Sequence, residues 1–298
     1  MGPGCAGVVP LSDPGMTRSK GHRRQQTEPQ RAAVSLCMMR ISTTPVAMLR
    51  ASHLHPVAVS LVPLAGLGLM LLPAPSMASD ANPAEGLSLQ LAPLARAVGQ
   101  PPRAGSAALA RDLSVLRWMQ TSRNPQLVRH AWTYLDRVPT AFEPAIGSDL
   151  TKTAPRIKAG VPAFVKVVER VKNQLKESIA RPRPFLSHAD LKPCLPLERS
   201  KSYPSGHATW YTATSLLLAD LLPQRRERLL AVGRQGVFAR VTCGMHYPSD
   251  VEAGQRLAAA GVAQILASDA WKRFKASVQE EVKALMLPPP AGLPLLFD

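Results

Sequence analysis

Pro204-Ser205-Gly206-His207 opens an apolar run that continues from Ala208 to Leu222 and is stopped by Pro223. A serine directly before such a run supplies the side-chain oxygen that a helix N-terminus needs, so the spacing predicts a helix starting just after Ser205-Gly206 and ending at Leu222. Gly206 lets a ligand approach the backbone, and its N–H lies at a helix start, where orphan N–H groups favour an anion. Working outward, Lys176 stands six residues before Arg183-Pro184, and Arg240 is followed by five residues, then His246, then three more and Asp250.

Helical period dominates the chain around these residues. Leu113, Leu116 and Met119 recur at helical spacing, and Leu127, Trp132 and Leu135 suggest the next helix. Pro162 is read as a helix N1 residue. Phe164, Val167, Val168, Val171 and Leu175 then form a stripe that carries Lys176 near its end. Arg181-Pro182-Arg183-Pro184 cannot continue that helix, because each proline pushes its predecessor out of the α region. Asp190 to Ser202 reads as a loop. A further helix is expected from Gln224 toward Val241, and Pro248 restarts one with Asp250 in its first turn. The Ala-rich stretch 251–267 is read as the central helix, and Asp269 as the cap of a last helix over 270–286 with a Trp271/Phe274/Val278/Val282 stripe. No strand series or repeat is visible. The expected fold is all-α, a bundle of roughly seven or eight helices.

The chain carries 36 Lys and Arg against 20 Asp and Glu, a formal net charge of +16. The basic residues are spread along it, with no arginine-rich block and no nucleic-acid module, so small anionic substrates are favoured over nucleic acid. Residues 1–47 show no helical or strand period and are read as disordered or as an upstream misreading, with translation starting at Met48, or at Met38 or Met39. Arg50, His53 and His55 precede an apolar run from Val57 to Leu72, then Pro73, Pro75 and Ser76-Met77-Ala78. That is the layout of a secretory signal over 48–78. The alternative is a membrane anchor, for which the run, broken by Pro63, is short. Residues 79–104 are a Pro-, Ala- and Gly-rich lead-in, 105–286 the helical domain and 287–298 a coil tail.

Of the four cysteines, Cys194 and Cys243 remain after such processing. In an oxidising compartment they are expected to pair, against the alternative of two buried free thiols. No Cys/His spacing reads as a zinc site, and no metal or cofactor is called for. The oligomeric state is left open, a homo-oligomer included.

The three polar clusters supply what phosphoryl transfer needs, which is mainly positioning and charge. Lys176, Arg183 and Arg240 give three positive charges, two of them able to grip phosphate oxygens in pairs. Ser205 offers a hydroxyl and Gly206 an N–H. Asp250, four residues after His246, can hold one imidazole nitrogen and leave the other free to attack. His207, beside the turn, is placed to protonate a leaving oxygen. Arg181 and His188 are read as solvated loop residues, and His130, Trp118, Trp132 and Trp271 as packing. Trp210 or Tyr211 is expected at the pocket's border.

Lys176-x6-Arg183-Pro184, Pro204-Ser205-Gly206-His207 and Arg240-x5-His246-x3-Asp250 resemble the three signature motifs of the type 2 phosphatidic acid phosphatase superfamily. Arg183-Pro184-Phe185, Ser202-Tyr203-Pro204-Ser205-Gly206-His207 and Val241-Thr242-Cys243-Gly244-Met245-His246 are similar to the class A bacterial non-specific acid phosphatases. The resemblance covers residues 165–265 and extends as a helical frame over 105–286. It implies the compact multi-helix bundle shared with vanadium haloperoxidases. It also implies metal-free hydrolysis of phosphate monoesters through a phosphohistidine, in the periplasm or after secretion, with no stable membrane insertion once the signal is cleaved. Carried over, His246 is the nucleophile, Asp250 its orienting carboxylate and His207 the general acid. Lys176, Arg183, Ser205, Gly206 and Arg240 hold the phosphate, and Cys194 and Cys243 sit where such enzymes carry a cysteine pair. One position departs: Ala239 stands where the family usually has Ser. The alternatives carried forward are a vanadate-dependent haloperoxidase and a membrane-associated lipid phosphate phosphatase.

Overall fold

Most of the apolar run after Gly206 is buried, and the helix it forms is the axis on which the other long helices pack. The structure is a computed structural model, and it describes residues 82–286. The expectations for 1–47, for the signal over 48–78 and for the tail 287–298 lie outside those residues. In chain order the α-helices are α1 Leu91–Val98, α2 Ala107–Ser122, α3 Pro125–Thr133, α4 Glu143–Ile146, α5 Leu150–Thr153 and α6 Pro155–Ile179, followed by α7 Pro184–Ser187, α8 Gly206–Leu221, α9 Arg226–Thr242, α10 Pro248–Ala267, α11 Asp269–Ser277 and α12 Gln279–Met286. Two 3-10 turns, Pro139–Phe142 and Pro223–Arg225, join them, and no strand occurs among the described residues. The all-α expectation holds. The helices outnumber the expected seven or eight because α4, α5 and α7 are single turns and α1 lies in the lead-in.

The central element is α8, not the Ala-rich α10. Ala, Thr, Ser and Leu bury α8 on nearly every side, whereas α10 keeps Glu252, Arg256 and Ala259 exposed. Glycines bring the neighbours close. A Cβ at Gly236 of α9 would stand 2.4 Å from the Tyr211 ring, and one at Gly254 of α10 would stand 2.6 Å from the backbone oxygen of Ser205. Helix α6 lies on the third side of α8.

Helix α6 starts at Pro155, seven residues before the expected N1 proline, so Pro162 sits inside it. Pro162 has no N–H for the carbonyl four residues earlier, a local loss that the helix carries because Val161, Phe164, Val165 and Val168 are buried along one face. That face ends in two buried lysines, Lys172 and Lys176. Ala180, left-handed at φ 53°, closes the helix by donating its N–H to Lys176 O at 2.9 Å, and the Arg-Pro-Arg-Pro segment leaves in extended form.

Three further expectations are corrected. The lead-in contains α1, whose Leu94 and Val98 are fully buried and whose C-terminal carbonyls accept from Arg256 and the Tyr203 hydroxyl. The final helix is two helices. Ser268 rather than Asp269 is the cap, and the chain leaves helical geometry at the buried Val278, where no Gly or Pro announces it. Trp118 and Trp132 are 63% and 48% exposed rather than packed, while Trp271 is buried against Phe164.

Candidate active site

Each expected site residue is placed by an element boundary. Lys176 comes from the last turns of α6, and Arg183 from the extended segment after it. Ser205 caps α8, its hydroxyl accepting from Ala208 N at 3.4 Å, and Gly206 and His207 form that helix's first turn. Arg240 lies in the last turn of α9, His246 in the turn after it, and Asp250 in the first turn of α10. The Ser205 N–H donates to Asp250 O at 2.9 Å, which ties the turn to α10. A disulfide joins Cys194 to Cys243, and Cys194 N donates to Cys243 O at 3.1 Å, so the 189–202 loop is fixed to the segment before His246.

His246 is fully buried. The Arg183 Nη1 donates toward its Nε2 at 3.1 Å, so Nε2 is the nitrogen with the lone pair. The other nitrogen, Nδ1, then carries the proton and faces Ser202 Oγ at 3.2 Å and Asp250 Oδ2 at 3.4 Å. Ser202 also donates to that carboxylate oxygen at 2.5 Å, and the Tyr247 N–H donates to it at 2.9 Å. Burial, reinforced by Arg183, Lys176 and Arg240, pushes the His246 imidazolium well below its ordinary range, so the ring is neutral at ordinary pH.

The cations converge around that nitrogen. Arg183 and Arg240 have no exposed surface, and Lys176 is buried as well. Burial, then the neighbouring Arg183 and Lys172, lowers the Lys176 ammonium to about 7. Burial brings Arg240 down to about 10, against the pull of Glu198. Arg240 Nε and Nη1 are buried and have no hydrogen-bond partner among the described residues. Guanidinium and ammonium groups only donate, so the group this cluster accommodates is an anion. The Nε2 of His207 donates to Leu135 O at 2.9 Å, which leaves Nδ1 as the nitrogen that faces the cluster. Burial and Arg240 hold its imidazolium down to about 3. Ala239 is buried beside Arg240 and offers no hydroxyl.

Three residues near the site, Asp112, Lys172 and Glu198, were not singled out from the sequence, and a fourth was misplaced. Arg181, expected in solvent, is buried. Its Nη1 donates to Asp250 Oδ1 at 2.7 Å and to Ser249 Oγ at 2.8 Å, its Nη2 lies 3.4 Å from Asp112 Oδ2, and its guanidinium covers the Tyr247 ring at 3.8 Å. Burial raises the Asp250 carboxyl and Arg181 opposes that rise. Asp112, buried on α2, also accepts from Ser249 N at 3.1 Å. The signal for Asp112 was an acid in line with Leu116 and Met119 on the buried face of α2. Lys172, one turn before Lys176, comes close to Gly206. Glu198 Oε2 accepts from Arg183 Nη2 at 2.6 Å, and its Oε1 accepts from Arg240 Nη2 and lies 3.8 Å from His207 Nδ1. His188 is half-buried against Tyr247, while Trp210 and Tyr211 are buried, with Tyr211 donating to Asp136 O at 2.6 Å.

An all-α frame that gathers buried cations around two histidines and a carboxylate defines an anion-handling enzyme of the phosphatase class. Its relatives agree: a sequence profile of the PAP2 superfamily matches residues 161–275. A non-specific acid phosphatase of Providencia stuartii is 27% identical over 62% of this chain and 79% of its own length. One from Salmonella typhimurium is 34% identical over 36% of this chain and 44% of its own length. A lipid A 1-phosphatase of Rhizobium johnstonii is 32% identical over 53% of this chain and 78% of its own length. The chain belongs to the PAP2 superfamily and is a phosphatase.

Proposed function

We propose that the protein is an exported acid phosphatase that hydrolyses phosphate monoesters, without a metal, through a phosphohistidine on His246. The observation that carries this reading is the orientation of His246. Its free Nε2 lies against the Arg183 guanidinium while Asp250 and Ser202 face Nδ1. Lys176, Arg183 and Arg240, with Ser205 and the Gly206 N–H, take the three non-bridging oxygens. They supply the positive charge that the transferring group needs.

In the first step the Nε2 lone pair forms the N–P bond as the P–O ester bond breaks, and the proton on His207 Nδ1 passes to the leaving oxygen, releasing the alcohol. In the second, water attacks phosphorus, its proton goes to His207 Nδ1, the N–P bond breaks and inorganic phosphate forms. His207 has its imidazolium depressed by burial and Arg240. A phosphoryl dianion between the arginines offsets the repulsion by Arg240, the second cause after burial, and so favours the protonated ring that the first step uses. Export is supported by the signal-like segment at 48–78 and by the Cys194–Cys243 disulfide, a bond that persists in oxidising compartments such as the periplasm.

A chromogenic phosphate monoester in the presence of chelator tests the reading. Turnover at acid pH supports it, and its absence across the acid-to-neutral range refutes it. His246→Ala is expected to abolish turnover in a folded protein and to eliminate an acid-labile phosphoenzyme trapped by rapid quench. A second reading, a phosphorylated lipid as substrate, is favoured by the lipid A 1-phosphatase relative and by Leu186 and Leu197, 69% and 67% exposed on the segments flanking the site. No helix among the described residues is long and apolar enough to cross a membrane. Comparing lipid and water-soluble monoesters at equal phosphate concentration separates the two readings.

A further inference from the structure

Glu198 is the one carboxylate that bridges the two buried arginines of the site. Oε2 takes Arg183 and Oε1 takes Arg240, whose side chains are wholly buried, while Glu198 itself is 31% exposed. Asp250, the other acid nearby, is already committed to Arg181, Ser202 and Tyr247 N. Lys172 has Glu169 at 3.9 Å, so a single carboxylate, that of Glu198, is paired with Arg183 and Arg240 beside Lys176. It leaves Arg240 Nε and Nη1 without a partner. Two oxygens and one charge thus occupy a cradle with donors to spare.

We propose that Glu198 is a built-in competitor for the phosphoryl group: its carboxylate holds the arginines in the free enzyme and is displaced when phosphate enters. The inference rests on the phosphate reading above and goes beyond it, because it makes Glu198 a determinant of affinity. A phosphoryl dianion brings three terminal oxygens and twice the charge, so it can satisfy the donors that the carboxylate leaves unbonded. Displacement does not require the loop to open. The backbone is fixed at Cys194 by the disulfide and the Cys194 N to Cys243 O bond, and at Ser202 by its N–H to Arg181 O at 2.8 Å. Glu198 lies midway between these anchors, and rotation of its partly exposed side chain carries the carboxylate into solvent. The observed affinity for phosphate is then the intrinsic affinity reduced by the fraction of molecules in which the arginines are free.

The test is calorimetric titration of the full chain with inorganic phosphate at neutral pH, for wild type and Glu198→Gln, which keeps the size and removes the charge. If the carboxylate holds the arginines nine-tenths of the time or more, phosphate binds the variant roughly tenfold tighter or better, and the phosphate Ki in monoester turnover falls in parallel. Glu198→Ala, with the phosphate-dependent rise in Tm as readout, repeats the test if the glutamine variant is unstable; a larger rise than in wild type is expected. Wild type that binds phosphate with variants that bind it no tighter overturns the proposal and leaves the phosphate reading intact. Failure of every form to bind phosphate overturns both.

Discussion

Replacing Arg181 with Met keeps an unbranched stem and removes the charge that lies 2.7 Å from Asp250 Oδ1. Asp250 has no exposed surface, and burial already raises its carboxyl. An adjacent arginine holds an aspartate down by about one to three pH units, so its loss lets Asp250 rise by a similar amount. The ionised carboxylate is the stronger acceptor for the Nδ1–H of His246, and protonation weakens that hold. The acid limb of kcat/KM is therefore expected to move up by about one to three pH units in Arg181→Met, with much of the activity retained on the alkaline side. Stability should follow the same sign. A carboxyl whose folded value is raised destabilises the protein once it ionises, so the stability deficit of the variant is largest above that raised value and shrinks as the pH falls through it. Breaking a buried pair costs about 3–5 kcal/mol. The pH–rate profile and thermal melts at several pH values, with Arg181→Lys as the charge-retaining control, measure both effects. An acid limb that stays in place, or an equal loss at every pH, would refute the reasoning.

Two further outcomes are expected. Lys176, lowered to about 7 by burial and then by Arg183 and Lys172, carries its charge below that pH and loses it above, so KM should climb as the pH rises through about 7. In Lys176→Gln the KM should be high throughout and lack that inflection, as steady-state kinetics across the range will show. Gly254→Ala places a methyl group 2.6 Å from the Ser205 carbonyl oxygen, which is backbone and cannot swing away. A loss of about 1–3 kcal/mol and a lower kcat/KM are expected, and a melting curve like that of wild type would contradict the close contact.

The core of the site was legible because its residues fall in short segments at helix ends, where capping and proline signals are strong. Ser205-Gly206, Pro248 with Asp250, and the Arg-Pro-Arg-Pro break were all read locally. Arg181 was misread because a charged residue beside a proline looks like a loop surface, and its partners come from α2 and α10. Asp112 reaches Ser249 across 137 positions, a contact that no periodicity encodes. Glu198 lies in a segment without regular structure, whose path depends on the disulfide and on bonds such as Arg183 Nε to Ser200 O. The misplaced centre of the bundle has a different cause. Alanine-rich α10 and leucine-rich α8 both read as buried, and only packing shows which one is enclosed.

The Arg181-Pro182-Arg183-Pro184 segment has a consequence for how the chain tolerates changes in length. Its extended backbone sends alternate side chains to the two ends of one hydrogen-bonded pair: Arg181 to the Asp250 carboxylate and Arg183 to the Nε2 of His246. The prolines restrict the backbone on both sides of Arg183, and the bond from Ser202 N to Arg181 O fixes the segment at its start. Inserting or deleting one residue there slips both arginines out of frame together. Such a change should therefore cost both contacts at once, whereas a substitution at Arg181 or at Arg183 removes only one of them.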